Sequence, residues 1–171
     1  KKTNSESPVM LIYNKQLAVS PFTTHIPISK VSKYVKTKDI VGKIKIIDHF
    51  YKKYIKKKPK FGITGLNPHC ESFEKENKER KEIIPAIRIL KKNRINISGP
   101  FAADTIFLKE NIKKFDVIFG MYHDQVLSPM KTLYGFDAIN ITLGLPFIRI
   151  SPDHGPNVQM LGKNKSSPKS L

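Results

Sequence analysis

Short apolar runs rich in β-branched residues alternate along this chain with stretches whose apolar residues recur every three or four positions, and that alternation constrains the fold most. Residues 8–13 and 17–22 read as two strands joined by a turn at Asn14-Lys15-Gln16. From Thr37 the period changes. Ile40, Val41, Ile44, Ile47, Tyr51, Tyr54 and Ile55 recur with lysines between them, predicting an amphipathic helix over 37–55 with Thr37 as its N-cap. Residues 61–63 predict a short strand, and 74–93 a helix that Pro85 either starts late or kinks. Further strands are predicted at 95–98, 117–121, 138–143 and 147–150. Strands alternating with helices point to a layered α/β fold with at least part of its sheet parallel. There is no internal repeat.

At 171 residues and 39% hydrophobic content the chain can bury a real core. No run of about 18 apolar residues occurs, and the opening Lys1-Lys2-Thr3-Asn4-Ser5-Glu6-Ser7-Pro8 lacks the apolar stretch of a signal peptide. A cytoplasmic protein with no membrane partner is the expectation. Cys70 is the one cysteine, which excludes an internal disulfide framework. The chain starts with Lys rather than Met and closes on a polar segment, so both ends are expected to be cuts in a longer protein. The formal net charge is +17, from 31 Lys and Arg against 14 Asp and Glu, which attracts polyanions without specifying one. The lysines are spread along the chain, densest over 52–60, and no nucleic-acid-binding pattern accompanies them. A basic nucleic-acid-binding module is therefore the rival of a different class, and no specific nucleic-acid partner is expected.

The five histidines divide into two kinds. His49 sits inside the predicted 37–55 helix, where a surface or packing role suffices. His25, His69, His123 and His154 each follow an apolar, strand-like run. Side chains just beyond the carboxyl ends of parallel strands line a common crevice, so residues distant in sequence can converge there. The intervals are too long for a local zinc motif, and spacing alone does not establish a metal site. Three neutral imidazoles on one face of a divalent ion would leave coordination positions open, as catalysis requires. Cys70 is either a fourth, soft ligand or a buried thiol. Neither a Gly-x-Gly-x-x-Gly loop nor a nucleoside triphosphate loop occurs, so motif mechanics do not indicate a nicotinamide cofactor.

At Gly65-Leu66-Asn67-Pro68-His69, Ile84-Pro85-Ala86-Ile87, Gly99-Pro100-Phe101-Ala102-Ala103-Asp104-Thr105, Met121-Tyr122-His123-Asp124-Gln125 and Asn140-Ile141-Thr142-Leu143-Gly144-Leu145-Pro146 the chain resembles the 4-hydroxythreonine-4-phosphate dehydrogenases. These blocks keep the family's order and extend from Thr23-Thr24-His25 to Asp153-His154-Gly155, about the C-terminal half of a complete enzyme. The resemblance implies a three-layer α/β/α fold related to the isocitrate and isopropylmalate dehydrogenases, here an incomplete two-domain subunit of a homodimer. Residues 1–125 would be the central metal-binding and dimerisation domain, and 126–171 a truncated return segment of the other domain.

The same resemblance implies that His25, His69 and His123 bind a divalent metal (zinc, magnesium or cobalt) at a site shared between subunits. Lys131, Asn140 and Arg149 match the family's substrate contacts, and two cations with an amide suit a phosphate and a carboxylate. The implied reaction passes hydride from 4-phosphooxy-L-threonine to NAD or NADP and releases carbon dioxide, in vitamin B6 biosynthesis. Asp104 and Asp124 are candidates for orienting the histidines or transferring protons, or else simple caps. His154, Gly155 and Asn157 resemble a cofactor-side loop, although the family more often has Thr-Ala after the glycine and Asp where Gln159 stands, so NAD and NADP are not distinguished. Residues 70–81 replace a Gly-rich stretch with Glu, Lys and Asn, and the family's His-Thr substrate pair would precede Lys1. The nearest rival is a related dehydrogenase for another phosphorylated hydroxy acid, such as threonate 4-phosphate, or for a dihydrodiol carboxylate.

Overall fold

Seven strands in the order β4-β3-β5-β2-β1-β6-β7 form one mixed sheet. They are β1 Val9–Tyr13, β2 Ala18–Pro21, β3 Phe61–Thr64, β4 Ile97–Phe101, β5 Val117–Gly120, β6 Ile139–Leu143 and β7 Arg149–Pro152. The computed structural model describes residues 8–70, 77–153 and 158–165. Strands β2, β5, β3 and β4 run parallel, whereas β1 is antiparallel to both β2 and β6, and β7 is antiparallel to β6. The expected parallel portion is therefore the β2-β5-β3-β4 half. All four residues of β2, β3 and β5 are buried, which explains why these strands read as unbroken apolar runs rather than alternating ones.

Helices cover both faces. Helices α1 Ile28–Tyr34, α2 Thr37–Phe50 and α3 Ile84–Lys92 pack on Leu11, Phe61, Ile63, Val117 and Phe119. Helices α4 Ala103–Ile106 and α6 His123–Tyr134 pack on Ile12, Val19 and Ile118, the alternate positions of the same strands. A short helix, α5 Lys109–Ile112, links α4 towards β5. Ile40, Ile44 and Ile47 form the buried stripe of α2, each fully buried, and contribute about 1.5–3 kcal/mol apiece by area.

Several boundaries differ from the sequence expectation. Lys36, not Thr37, is the N-cap of α2, and no side chain of its own caps it. Thr37 lies inside the helix because Glu82, just before α3, accepts its N–H at 2.8 Å and its hydroxyl at 2.9 Å. A carboxylate from a packed neighbour thus satisfies the orphan donor that a local cap would have taken. The helix also changes pitch at its end, becoming a π turn over Tyr51–Ile55 and stopping at Lys56 in the left-handed conformation, φ 60°. Another π turn, Glu79–Ile83, precedes α3, with Pro85 in the first helical turn where its missing N–H costs least. Pro85 therefore starts the α segment late.

Helix α1 was not predicted, since Val31 is its one buried residue and no period is visible. Strand β4 begins two residues later than the apolar run, and β7 starts at Arg149, leaving Phe147 and Ile148 exposed. In both cases pairing with the neighbouring strand, rather than local hydrophobicity, sets the limits. The sheet takes strands from both sides of position 125, and α6 spans it. No described helix is long and apolar enough to cross a membrane.

Candidate functional site at the carboxyl edge of the sheet

Three neighbouring parallel strands, β2, β5 and β3, deliver His25, His123 and His69 to the same edge. His25 follows β2 through a turn in which the Thr23 hydroxyl donates to the Met121 carbonyl at 2.8 Å. The Phe22 carbonyl beneath it accepts from Lys43 at 2.8 Å, and the ammonium also lies over the Phe22 ring. Burial pushes the Lys43 pKa down, against an upward pull from Asp39. His123 is the first residue of α6, immediately after β5. Gly120 permits that close approach, because a Cβ there would stand 2.4 Å from Val126 Cγ1.

The rings of His25 and His123 lie 5.9 Å apart, centroid to centroid, and line one cavity of about 240 Å³ with Thr24, Tyr122 and Asp124. Asp124 Oδ1 stands 2.7 Å from His123 Nδ1, an arrangement that engages that nitrogen and leaves Nε2 as the other polar atom of the ring. His69 lines an adjoining cavity of about 250 Å³ with Asn67, Asp104, Tyr122 and Gln125. Tyr122 borders both. The backbone of His69 is left-handed, φ 55°, as is that of Cys70, φ 59°. Among the described residues no group of three or more His, Cys, Asp or Glu is close enough to hold one ion within a single chain. The fold thus pairs His25 with His123 and sets His69 beside them, across Tyr122.

Asp104 is exposed in the first turn of α4, facing the His69 cavity. The Cys70 sulfur is packed towards Gly65, 2.8 Å from where a Cβ would stand on that residue.

The other expected contacts share the α6 face of the sheet. Asn140 and Thr142 point to one side of β6, and their partners across the β6–β7 ladder are Ser151 and Arg149. Arg149 is exposed, with Nη1 3.4 Å from the Thr142 hydroxyl. Lys131 donates to the Asp153 carboxylate at 2.7 Å and to the Asp153 carbonyl, and lies 4.8 Å from the Phe136 ring centroid. Asn140 Oδ1 is buried without a hydrogen-bond partner. Lys131 stands eight residues after His123 on α6, about 12 Å along the axis. The histidines and this trio therefore form two groups on the chain. His154, Gly155 and Asn157 lie outside the described residues.

The whole chain, residues 1–171, matches the family model described as pyridoxal phosphate biosynthetic protein PdxA. The chain belongs to the PdxA family. It is 42% identical over 163 residues to a 4-hydroxythreonine-4-phosphate dehydrogenase of Sulfurihydrogenibium sp. (strain YO3AOP1), covering 94% of this chain and 50% of that relative. Against the protein of the same name from Aquifex aeolicus (strain VF5) the identity is 41% over 167 residues, covering 97% and 52%. The solved structure of 4-hydroxythreonine-4-phosphate dehydrogenase from Klebsiella pneumoniae superposes with a TM-score of 0.81 at 31% identity, covering 92% of this chain and 48% of that one. The chain spans about half the length of the PdxA relatives it matches.

Sequence reasoning passed over residues that shape this edge. Gln125 lies in the block Met121-Tyr122-His123-Asp124-Gln125, yet its amide drew no role. It is 9% exposed and bonded to Thr64 of β3, to Gly65 just after β3 and to Met121 just after β5. Glu79, 1% exposed, accepts the N–H groups of Leu66 and Asn67 at 2.8 and 2.7 Å, just before His69. The available signal was a polar side chain at a position where the helical period demands burial.

Proposed function

We propose that the chain carries the metal- and substrate-binding part of a cytoplasmic, metal- and NAD(P)-dependent dehydrogenase. The enzyme oxidatively decarboxylates 4-phosphooxy-L-threonine to 3-amino-2-oxopropyl phosphate, in pyridoxine 5'-phosphate biosynthesis. The observation that carries this reading is the arrival of three histidines at one sheet edge from adjacent parallel strands, in a chain of the PdxA family. In the proposed assembly the subunit is a two-domain α/β/α protein of the isocitrate dehydrogenase kind, paired as a homodimer. Residues 1–125 contribute the metal ligands and 126–171 the substrate contacts, as two working portions of one sheet.

An all-imidazole donor set suits zinc or cobalt better than magnesium, which prefers oxygen ligands, and it leaves one imidazole to be met by assembly. His25 and His123 share a cavity mouth, while His69 opens beside it, so a site using all three is reasonable where a second copy supplies the missing imidazole. When bound, the ion would supply Lewis acidity toward developing negative charge on oxygen, and the nicotinamide would supply a hydride acceptor.

The chain's own residues have distinct tasks in this scheme. Asp124 orients the His123 ring. Asp104, exposed beside His69, is a candidate to exchange a proton with the substrate. Lys131 and Arg149 neutralise the anionic groups of the substrate, and the phosphate must compete with Asp153 for Lys131. The unpartnered Asn140 oxygen offers an acceptor to a hydroxyl or ammonium donor. His154, Gly155 and Asn157 are proposed to face the nucleotide.

The test follows nicotinamide reduction and carbon dioxide release together, using the full-length protein with 4-phosphooxy-L-threonine or threonate 4-phosphate. Equal yields of both products from the amino acid, abolished by a chelator and restored by metal, are expected. Faster turnover of threonate 4-phosphate, or reduction without decarboxylation, would replace this reading with the neighbouring dehydrogenase activity.

A further inference from the structure

Beneath the histidines, side chains join the carboxyl ends of β5 and β3 beyond their last paired residues, while backbone bonds from Phe22 and Thr23 still tie the end of β2 to that of β5. Gln125 is the centre of this arrangement. It lies in the first turn of α6, two residues after His123, with its side chain directed into the sheet edge. Its Oε1 accepts the Thr64 hydroxyl at 2.7 Å and the Met121 N–H at 2.7 Å, and its Nε2 donates to the Gly65 carbonyl at 2.9 Å.

The partners dictate how the amide sits. A backbone N–H can only donate and a backbone carbonyl can only accept, so the oxygen must face β5 and the nitrogen must face the loop after β3. Thr23 extends the connection to β2 through the Met121 carbonyl. On its far side, the segment Gly65-Leu66-Asn67 is held by the buried Glu79 carboxylate, and the next residues are Pro68 and His69.

We propose that Gln125 is a positioning residue, whose single amide fixes the His69 loop relative to the start of α6 and so sets how far His69 stands from His123. The purpose assigned to this spacing, setting His69 and His123 each where it can meet an ion shared with a second copy, rests on the function proposed above. The mechanical link does not. Gln125 spends its hydrogen bonds on Thr64, Met121 and Gly65 rather than on a ring, and acts through Gly65 on one side and the Met121–His123 segment on the other. Of the side chains of this size only an amide meets the three partners. Glutamate would set a second oxygen against the Gly65 carbonyl in a buried place, and methionine would leave all three groups unpaired. Gly120 belongs to the same device, since a Cβ there would lie 3.1 Å from Gln125 Oε1 as well as against Val126.

The experiment compares the full-length protein with its Gln125→Glu and Thr64→Val variants by histidine ring NMR, thermal unfolding, and titration with Co2+ followed by visible absorption. The ring signals of His69 are expected to move or split in Gln125→Glu while the apolar core remains folded. Co2+ binding is expected to weaken about 10–100-fold, the range seen when partners behind metal ligands are altered. Thr64→Val removes one of the three bonds and should give a smaller displacement of the same signals. Should Gln125→Glu fail to fold, that displacement in Thr64→Val decides: its presence supports the positioning role and its absence overturns it. Folded variants with lowered unfolding temperature but unchanged His69 signals would show Gln125 to be merely structural. If the unaltered full-length protein binds no Co2+, the metal reading fails, and the ring signals alone decide the link between the two loops.

Discussion

Single side chains of the two groups divide by what their loss would affect. His69→Ala removes one imidazole from a proposed three-ligand site, so metal content and turnover of the full-length protein should fall together while the fold persists. Arg149→Ala is expected to behave differently. Arg149 is exposed on β7 and holds only a long contact to Thr142, so its loss should leave metal content unchanged and raise KM, costing about 1.5–3 kcal/mol of substrate binding. Metal analysis and kinetics on both variants, with metal in excess, separate the roles. A His69→Ala protein that keeps near-normal turnover without metal would refute the assigned ligand.

Between elements, the junction of α2 and α3 makes stability pH-dependent. Burial raises the Glu82 carboxyl pKa, but hydrogen bonds from the Thr37 backbone and hydroxyl, helped by Lys36, outweigh it and hold the group below its ordinary 4.5. A depressed folded-state pKa means that the stabilisation is complete above the unfolded value and is lost as pH falls through the folded one. Glu82→Gln should therefore unfold at a lower temperature than the unaltered chain at neutral pH, with the gap closing in acid below 4.5. An equal gap at all pH values would show that charge has no part in the staple. This contact also explains what the sequence could not reveal. The α2 stripe of Ile40, Ile44 and Ile47 was visible from its period, and β2, β3 and β5 from their unbroken apolar runs. The cap from Glu82 was not, because it joins residues 45 apart in sequence. The histidines were legible as strand-end residues for the same local reason. That His25 and His123 share a cavity while Tyr122 separates His69 depends on strand order, which no local pattern encodes.

At the scale of the molecule the two edges of the parallel strands differ in chemistry. The histidines occupy the carboxyl edge, whereas Lys56, Lys57, Lys58 and Lys60 precede β3, Lys91, Lys92 and Arg94 precede β4, and Lys113 and Lys114 precede β5. This amino-edge rim holds much of the excess positive charge, and Asp116 pairs with Lys57 there. Binding of the chain to single-stranded RNA or heparin should be weak, fall steeply with salt and ignore sequence, because lysines neutralise phosphates without reading bases. Strong discrimination between RNA sequences at physiological salt would favour the nucleic-acid-binding alternative. The carboxyl edge carries the central claim, a metal site that uses His25 and His123 with His69 from a second copy. The direct measurement is complementation between two full-length variants, His69→Ala and His123→Ala, each inactive alone, unfolded together and refolded as a mixture. Mixed dimers should hold one intact site, so the mixture should regain about a quarter of wild-type turnover, half the dimers being mixed. A mixture as inactive as its components, with mixed dimers confirmed by native mass spectrometry, would contradict the shared site.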